Sequence, residues 1–183
     1  MKFLDIYSQD KLIRSRIVKD FKKNILKGDF ILGNAVKKFE DKFASFCGAK
    51  YAIGCANGTD AITIALKSLN LPKNSEVIIP AMTYCSTAFA IINANLKPIL
   101  VDIDYLKPTI SINNIKKKIT SKTKVIMPVH LYGSSSDLSG IKKLIRSKKI
   151  ILVDDCAQAH GSYDDSLKDK KKIGSTADIS CFS

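Results

Sequence analysis

The stretch Ile150-Ile151-Leu152-Val153-Asp154-Asp155-Cys156-Ala157-Gln158-Ala159-His160-Gly161 decides how the chain is read. Four apolar residues end abruptly at two carboxylates. A short run rich in β-branched residues and followed by a turn signal reads as a fully buried parallel strand. In an open α/β sheet, ligands sit outside the carboxyl ends of such strands. Asp154 and Asp155 therefore stand at a functional edge. The side-chain period of two sends them to opposite faces, so at most one points at a given ligand. Gln158 and His160 extend the polar cluster. The competing reading is a plain strand end whose Asp caps the next turn, because Asp is a common turn residue.

Working outward, strand and helix patterns alternate. Ile13, Ile17, Phe21 and Ile25 recur at helical spacing, and Gly28 and Gly33 bracket a turn. A second helix starts near Asn34, carries Val36, Phe39, Phe43 and Phe46 on one face, and ends at Cys47-Gly48. Strands are expected at 51–55, 76–80, 98–102 and 124–129. Helices are expected after Asp60 (with Ile62, Ala65, Leu66 and Leu69 inward), over 83–95, from Ser111 to near Thr120, and over 137–148. This order predicts an α/β fold with a mainly parallel sheet and helices on both faces. Right-handed crossovers then bring the turns at 57–59, 83–84, 130–133 and 155–158 to one rim.

At 183 residues the chain is one domain or a little more. No apolar run approaches the roughly 20 residues of a membrane helix. Met1-Lys2-Phe3-Leu4-Asp5 has no apolar signal core, so a cytoplasmic protein is expected. Cys47, Cys55, Cys85, Cys156 and Cys181 are widely spaced without a C-x-x-C. They imply neither a zinc site nor a disulfide framework, but reduced thiols, with Cys156 packed in the core. The net charge of +13 comes from lysines scattered over surface-like positions without interleaved aromatics. They read as solvated helix faces, not a nucleic-acid stripe.

Asn57-Gly58-Thr59-Asp60 lies between a strand pattern and a helix pattern. A helix N-terminus offers free N–H groups and a positive dipole end, which together bind phosphate. Gly58 allows close approach, and Thr59 adds a hydroxyl. A plain N-cap is the alternative. The segment is neither a Walker A loop nor G-x-G-x-x-G, so ATP and NAD lose support. Tyr84 stands at another strand-end turn, where an aromatic ring can lie on a cofactor or fill the core. His130 reads as a loop histidine bonded to backbone, and Asp102 and Asp104 as turn acids. A haloacid-dehalogenase-type phosphatase is an alternative, with Asp102 as nucleophile and Asp154-Asp155 binding magnesium. Leu106 stands where that pattern expects Thr or Val.

Taken together, Gly33, Phe39-Glu40, Asn57-Gly58-Thr59-Asp60-Ala61, Glu76-Val77-Ile78-Ile79-Pro80, Val101-Asp102-Ile103-Asp104, Pro128-Val129-His130-Leu131-Tyr132-Gly133, Asp154-Asp155-Cys156-Ala157-Gln158-Ala159-His160-Gly161 and Cys181-Phe182-Ser183 resemble the DegT/DnrJ/StrS-type sugar aminotransferases. These are pyridoxal 5'-phosphate (PLP) enzymes with the aspartate-aminotransferase fold. The resemblance runs from about Asp29 to Ser183. It implies that Asp155 pairs with the pyridine nitrogen, Tyr84 stacks on the ring, Gly58, Thr59 and Ser183 bind the phosphate, and Gln158 contacts the ring or its 3-hydroxyl. It implies transfer of an amino group from an amino acid, plausibly glutamate, to a keto-sugar nucleotide in a homodimer, with no metal, nucleic acid or membrane. Residues 1–30 are expected to be a helical segment and 31–183 the N-terminal part of the PLP-binding large domain. The family's Schiff-base lysine falls a few residues beyond the position of Ser183. The chain is therefore expected to be truncated and inactive in transamination alone. A non-catalytic or regulatory product, or a PLP-dependent sugar dehydratase, are the remaining alternatives.

Overall fold

A computed structural model describes residues 5, 8, 10–28, 30–167 and 169–183. Met1 to Leu4, where no signal core is expected, and Asp29, where the resemblance starts, lie outside the described residues. Two compact units divide the chain at 43/44. The first contains helix α1 (Lys11–Lys27), closed by Gly28 in the left-handed conformation, whose N–H donates to the Ile25 carbonyl. Ile13, Ile17, Phe21 and Ile25 recur along it as the spacing predicts, yet all four are exposed. Helix α2 (Asn34–Cys47) begins in the same unit. Its outer turns carry a Lys37–Asp41 pair at 2.8 Å and a Phe39–Phe43 stack.

The second unit is the α/β body. Its strands are β1 (Glu76–Pro80), β2 (Lys97–Val101), β3 (Thr123–Ile126), β4 (Ile151–Asp155) and β5 (Ile179–Cys181). They pair in parallel in the order β2-β1-β3-β4-β5. Helices α3 (Gly58–Ser68) and α4 (Cys85–Asn93) cover one face, and α5 (Ile112–Lys118) and α6 (Leu138–Ile145) the other. The alternation along each strand divides the core accordingly. Val77, Ile79, Val125 and Val153 pack with Ile62, Leu66 and Ile91. Ile78, Ile126 and Leu152 pack with Ile115, Leu138 and Ile141. A strand covered on both faces has to be apolar throughout, which is why these strands read as continuous runs.

The connection after β1 leaves through α4 on one face, and that after β3 through α6 on the other. The carboxyl ends of β1 and β3 therefore form a topological switch point, where a ligand crevice opens. One expectation fails. Residues 51–55 are not a strand: among the described residues no ladder joins them to a neighbour, and Ile53 is 85% exposed. An alternating pattern makes a strand only when a partner supplies its hydrogen bonds. The edge strand β5 was not foreseen, because Ser180 interrupts its short apolar run. No helix among the described residues is long and apolar enough to cross a membrane.

Leu152 is fully buried between β4 and α6. Leu152→Ala is expected to cost about 2–5 kcal/mol in urea unfolding. Ile64→Ala, on the exposed side of α3, is expected to change stability by no more than about 0.5 kcal/mol.

Candidate functional site

The site grows from the last two residues of β4. Val153 and Asp155 face α3 and α4, and Leu152 and Asp154 face α5 and α6, as strand alternation requires. Asp155 is 7% exposed. Its Oδ2 accepts from the Thr87 hydroxyl at 2.8 Å, and its Oδ1 from the Ala157 N–H at 3.1 Å. Burial pushes its pKa above the ordinary carboxylate value, and the Thr87 hydroxyl, the Ala157 N–H and His130 pull it back. Its backbone is clamped as well: Asp155 N–H donates to the Pro128 carbonyl, and His130 N–H to the Asp155 carbonyl.

Asp154 is fully buried on the other face. His130 meets its Oδ2 through Nε2 at 3.1 Å. The Ser136 N–H donates to Nδ1 of the same ring at 3.1 Å. That bond occupies the Nδ1 lone pair and leaves the ring proton on Nε2, directed at Asp154. His130, Asp154 and Cys156 offer ligand atoms within 4.8 Å of one another. However, an Nε2 carrying a proton has no lone pair for a cation. Burial, followed by the Asp154 charge, holds the Cys156 thiol well above its ordinary range, so it stays protonated. The cluster is a packed polar core; Cys156 sits in it as expected, and His130 adds a carboxylate partner to the backbone bond foreseen.

A second anchor lies at the start of α3. Asn57 caps the helix, its Oδ1 accepting from the Asp60 N–H and its Nδ2 donating to the Asp60 carboxylate, both at 2.9 Å. The first-turn N–H groups of Gly58 and Thr59 have no acceptor within the helix. Ser183 approaches Gly58 so closely that a Cβ at position 58 would lie 2.6 Å from the Ser183 Cβ. Glycine is required there by contact, not by dihedral angle. Asp155 pairs in register with Cys181, two residues before Ser183, so both anchors share one rim.

Tyr84 is the N-cap of α4 and is 71% exposed as a residue, not a core tyrosine. Gln158 accepts the Tyr132 N–H through Oε1 at 2.7 Å, with Tyr132 held at φ 56°. A left-handed backbone at a non-glycine residue costs on the order of 1–3 kcal/mol and tends to mark functional sites. Of the turns expected to meet, 130–133 and 155–158 do so through His130–Asp155 and Tyr132–Gln158, and the helix that follows 83–84 joins them through Thr87–Asp155; the turn at 57–59 meets Ser183 instead. Asp102 and Asp104 lie beyond β2, three strand spacings away from β4 and therefore about 14 Å from it. That separation leaves Asp102 and Asp154-Asp155 no common magnesium site. Asp104 caps the Leu106 N–H at 2.9 Å, as a turn acid does. Thr87 went unrecognised from sequence; its only signal is its position three residues after Tyr84.

The model of the DegT/DnrJ/EryC1/StrS aminotransferase family matches residues 11–183. The dTDP-3-amino-3,6-dideoxy-alpha-D-galactopyranose transaminase of Aneurinibacillus thermoaerophilus is 39% identical over 181 residues, covering 99% of this chain and 49% of that protein. The structure of S. venezuelae DesV in complex with a ketimine intermediate superposes with a TM-score of 0.93 at 30% identity, covering 100% of this chain and 48% of that one. The structure of ntda from Bacillus subtilis with bound cofactor pmp superposes with a TM-score of 0.80 at 33% identity, covering 90% and 36%. The chain spans about half the length of the curated relatives it matches.

A carboxylate whose folded pKa is raised favours the folded state fully below its ordinary value of 3.8, and that contribution is lost as pH rises through the raised value. The urea stability of the parent is therefore expected to carry a component that falls as pH rises from 3.8, and Asp155→Asn, which cannot titrate, is expected to lose that component whatever its stability at any one pH. A pH dependence identical in parent and variant would contradict the burial argument.

Proposed function

The chain belongs to the DegT/DnrJ/EryC1/StrS aminotransferase family, and from that we propose that it forms the PLP-binding part of a sugar-nucleotide aminotransferase. The donor is an amino acid, glutamate by preference, and the acceptor a keto-sugar nucleotide, in a cytoplasmic homodimer feeding amino-sugar and surface-polysaccharide synthesis. In this reading residues 1–30 are a helical lead-in and 31–183 the N-terminal part of the cofactor domain.

The observation that carries the proposal is one rim holding both a buried carboxylate, Asp155, and a helix N-terminus pressed against a serine, Gly58 with Ser183. The residues fit the cofactor's two polar ends. The free N–H groups of Gly58 and Thr59, with the Ser183 hydroxyl, suit a dianionic phosphate. Asp155 suits a protonated ring nitrogen: two donors fix its oxygens, and a cation beside a buried carboxylate would favour the ionised form that burial alone disfavours. Tyr84 would cover one face of the ring and exclude water from it. Gln158 spends Oε1 on Tyr132, which leaves its Nε2 donors for the ring's phenolic oxygen.

When bound, PLP supplies an electron sink that stabilises negative charge at the substrate carbon. Asp155 holds the proton on the ring nitrogen that this requires. We assign none of the lysines in residues 1–183 as the amine that moves protons at the substrate carbon. The chain alone is therefore expected to bind without turning over. A sugar dehydratase would use the same floor, and the product formed by the whole protein separates the two.

Pyridoxamine 5'-phosphate is the suitable probe, because it has no aldehyde to react with surface lysines. We expect saturable binding by this chain, weakened at least about tenfold by Asp155→Ala through loss of a charge-assisted contact. Gly58→Ala should weaken it comparably, by pushing Ser183 away. Binding indifferent to both substitutions, by fluorescence or calorimetry, would sink the proposal.

A further inference from the structure

We propose that Thr87, with Thr83 behind it, is a positioning residue that holds the Asp155 carboxylate in the orientation in which a cofactor's ring nitrogen meets it; this rests on the PLP reading above. Thr87 is 1% exposed and sits in the first turn of α4, three residues after Tyr84. Its hydroxyl donates to Asp155 Oδ2 across 68 positions of sequence, at 2.8 Å. The Thr83 and Thr87 hydroxyls are also 2.8 Å apart. Thr87 has one proton and gives it to the carboxylate, so Thr83 must be the donor to Thr87. The chain of hydroxyls runs one way, Thr83 to Thr87 to Asp155, and ends on negative charge.

A threonine inside a helix ordinarily turns its hydroxyl back to its own helix. Here it reaches out of α4 to another element. Its β-branch restricts χ1, so little freedom remains to be lost when the bond forms. With Ala157 N–H on Oδ1, each carboxylate oxygen has one fixed donor and the plane of the group is set. The same helix turn thus carries the exposed ring of Tyr84 and the hydroxyl that orients Asp155. A shift of α4 would move both together.

The charged and titratable groups around Asp155 are His130 from the loop after β3, Asp154 on β4, Cys156 beyond it and Cys181 on β5. None of them changes when Thr87 is replaced. Thr87→Val keeps the shape and removes the hydroxyl, and Thr87→Ser keeps the hydroxyl. Two readouts are taken on this chain. The first is the carbon-13 titration of the Asp155 carboxylate without ligand. The second is the binding of pyridoxamine 5'-phosphate as a function of pH.

T87V is expected to move the Asp155 titration to higher pH, to weaken the probe about tenfold, and to shift the acid limb of binding upward, all through loss of one donor to the charged form. T87S is expected to stay near the parent in all three. A T87V protein that folds and titrates and binds like the parent overturns the inference. Should T87V fail to fold, Thr83→Val is expected to move the titration the same way by less, and no movement there overturns it equally. A parent chain that does not bind the probe overturns the PLP reading and with it the cofactor role of Thr87. The ligand-free titration still reports whether Thr87 holds Asp155.

Discussion

Two adjacent carboxylates at the end of a buried strand are the constraint on which the rest of the structure depends. Each needs hydrogen-bond donors, because an unpaired charge taken out of water is costly. A strand cannot turn both to the same side, so one set of donors cannot serve them. The fold supplies two. His130, itself oriented by the Ser136 N–H, serves Asp154 on the α5/α6 face. Thr87 and the Ala157 N–H serve Asp155 on the α3/α4 face. The loop from 130 to 136, the first turn of α4 and the turn after β4 all take their places from this division.

The two carboxylates sit in unlike surroundings. Asp154 lies wholly inside, its Oδ1 without a hydrogen-bond partner among the described residues and Cys156 held as a neutral thiol beside it. Asp155 lies at the mouth of the switch point, near a helix N-terminus and an exposed aromatic ring.

Much of this was legible in the sequence, and for a definite reason. Continuous apolar runs separated by helical patterns fix a two-sided parallel sheet, and the strand period alone predicts that Asp154 and Asp155 part company. What was not legible is pairing between distant segments. Residues 51–55 have a strand's composition, yet no pattern within them says whether a partner lies alongside. The stripe along α1 has helical spacing, but spacing names a face and not what covers it. Thr87 looks like any small residue in a helix of small residues, and its role exists only once α4 is laid against β4. His130 carries no local mark of the carboxylate 24 positions later that it meets.

The close approach of Gly58 and Ser183 bears on when the rim comes into being. Its halves belong to the first helix of the α/β body and to the segment after its edge strand, with all the other strands synthesised between them. Contacts so distant along the chain form late in folding, because the intervening loop entropy must be overcome first. During synthesis, the helix end at Asn57 emerges long before the serine that presses against it. An intermediate in which β1 to β4 are already paired would have the buried carboxylates in place and still lack the serine against Gly58. Completion of this rim is thus a late event, tied to the docking of β5.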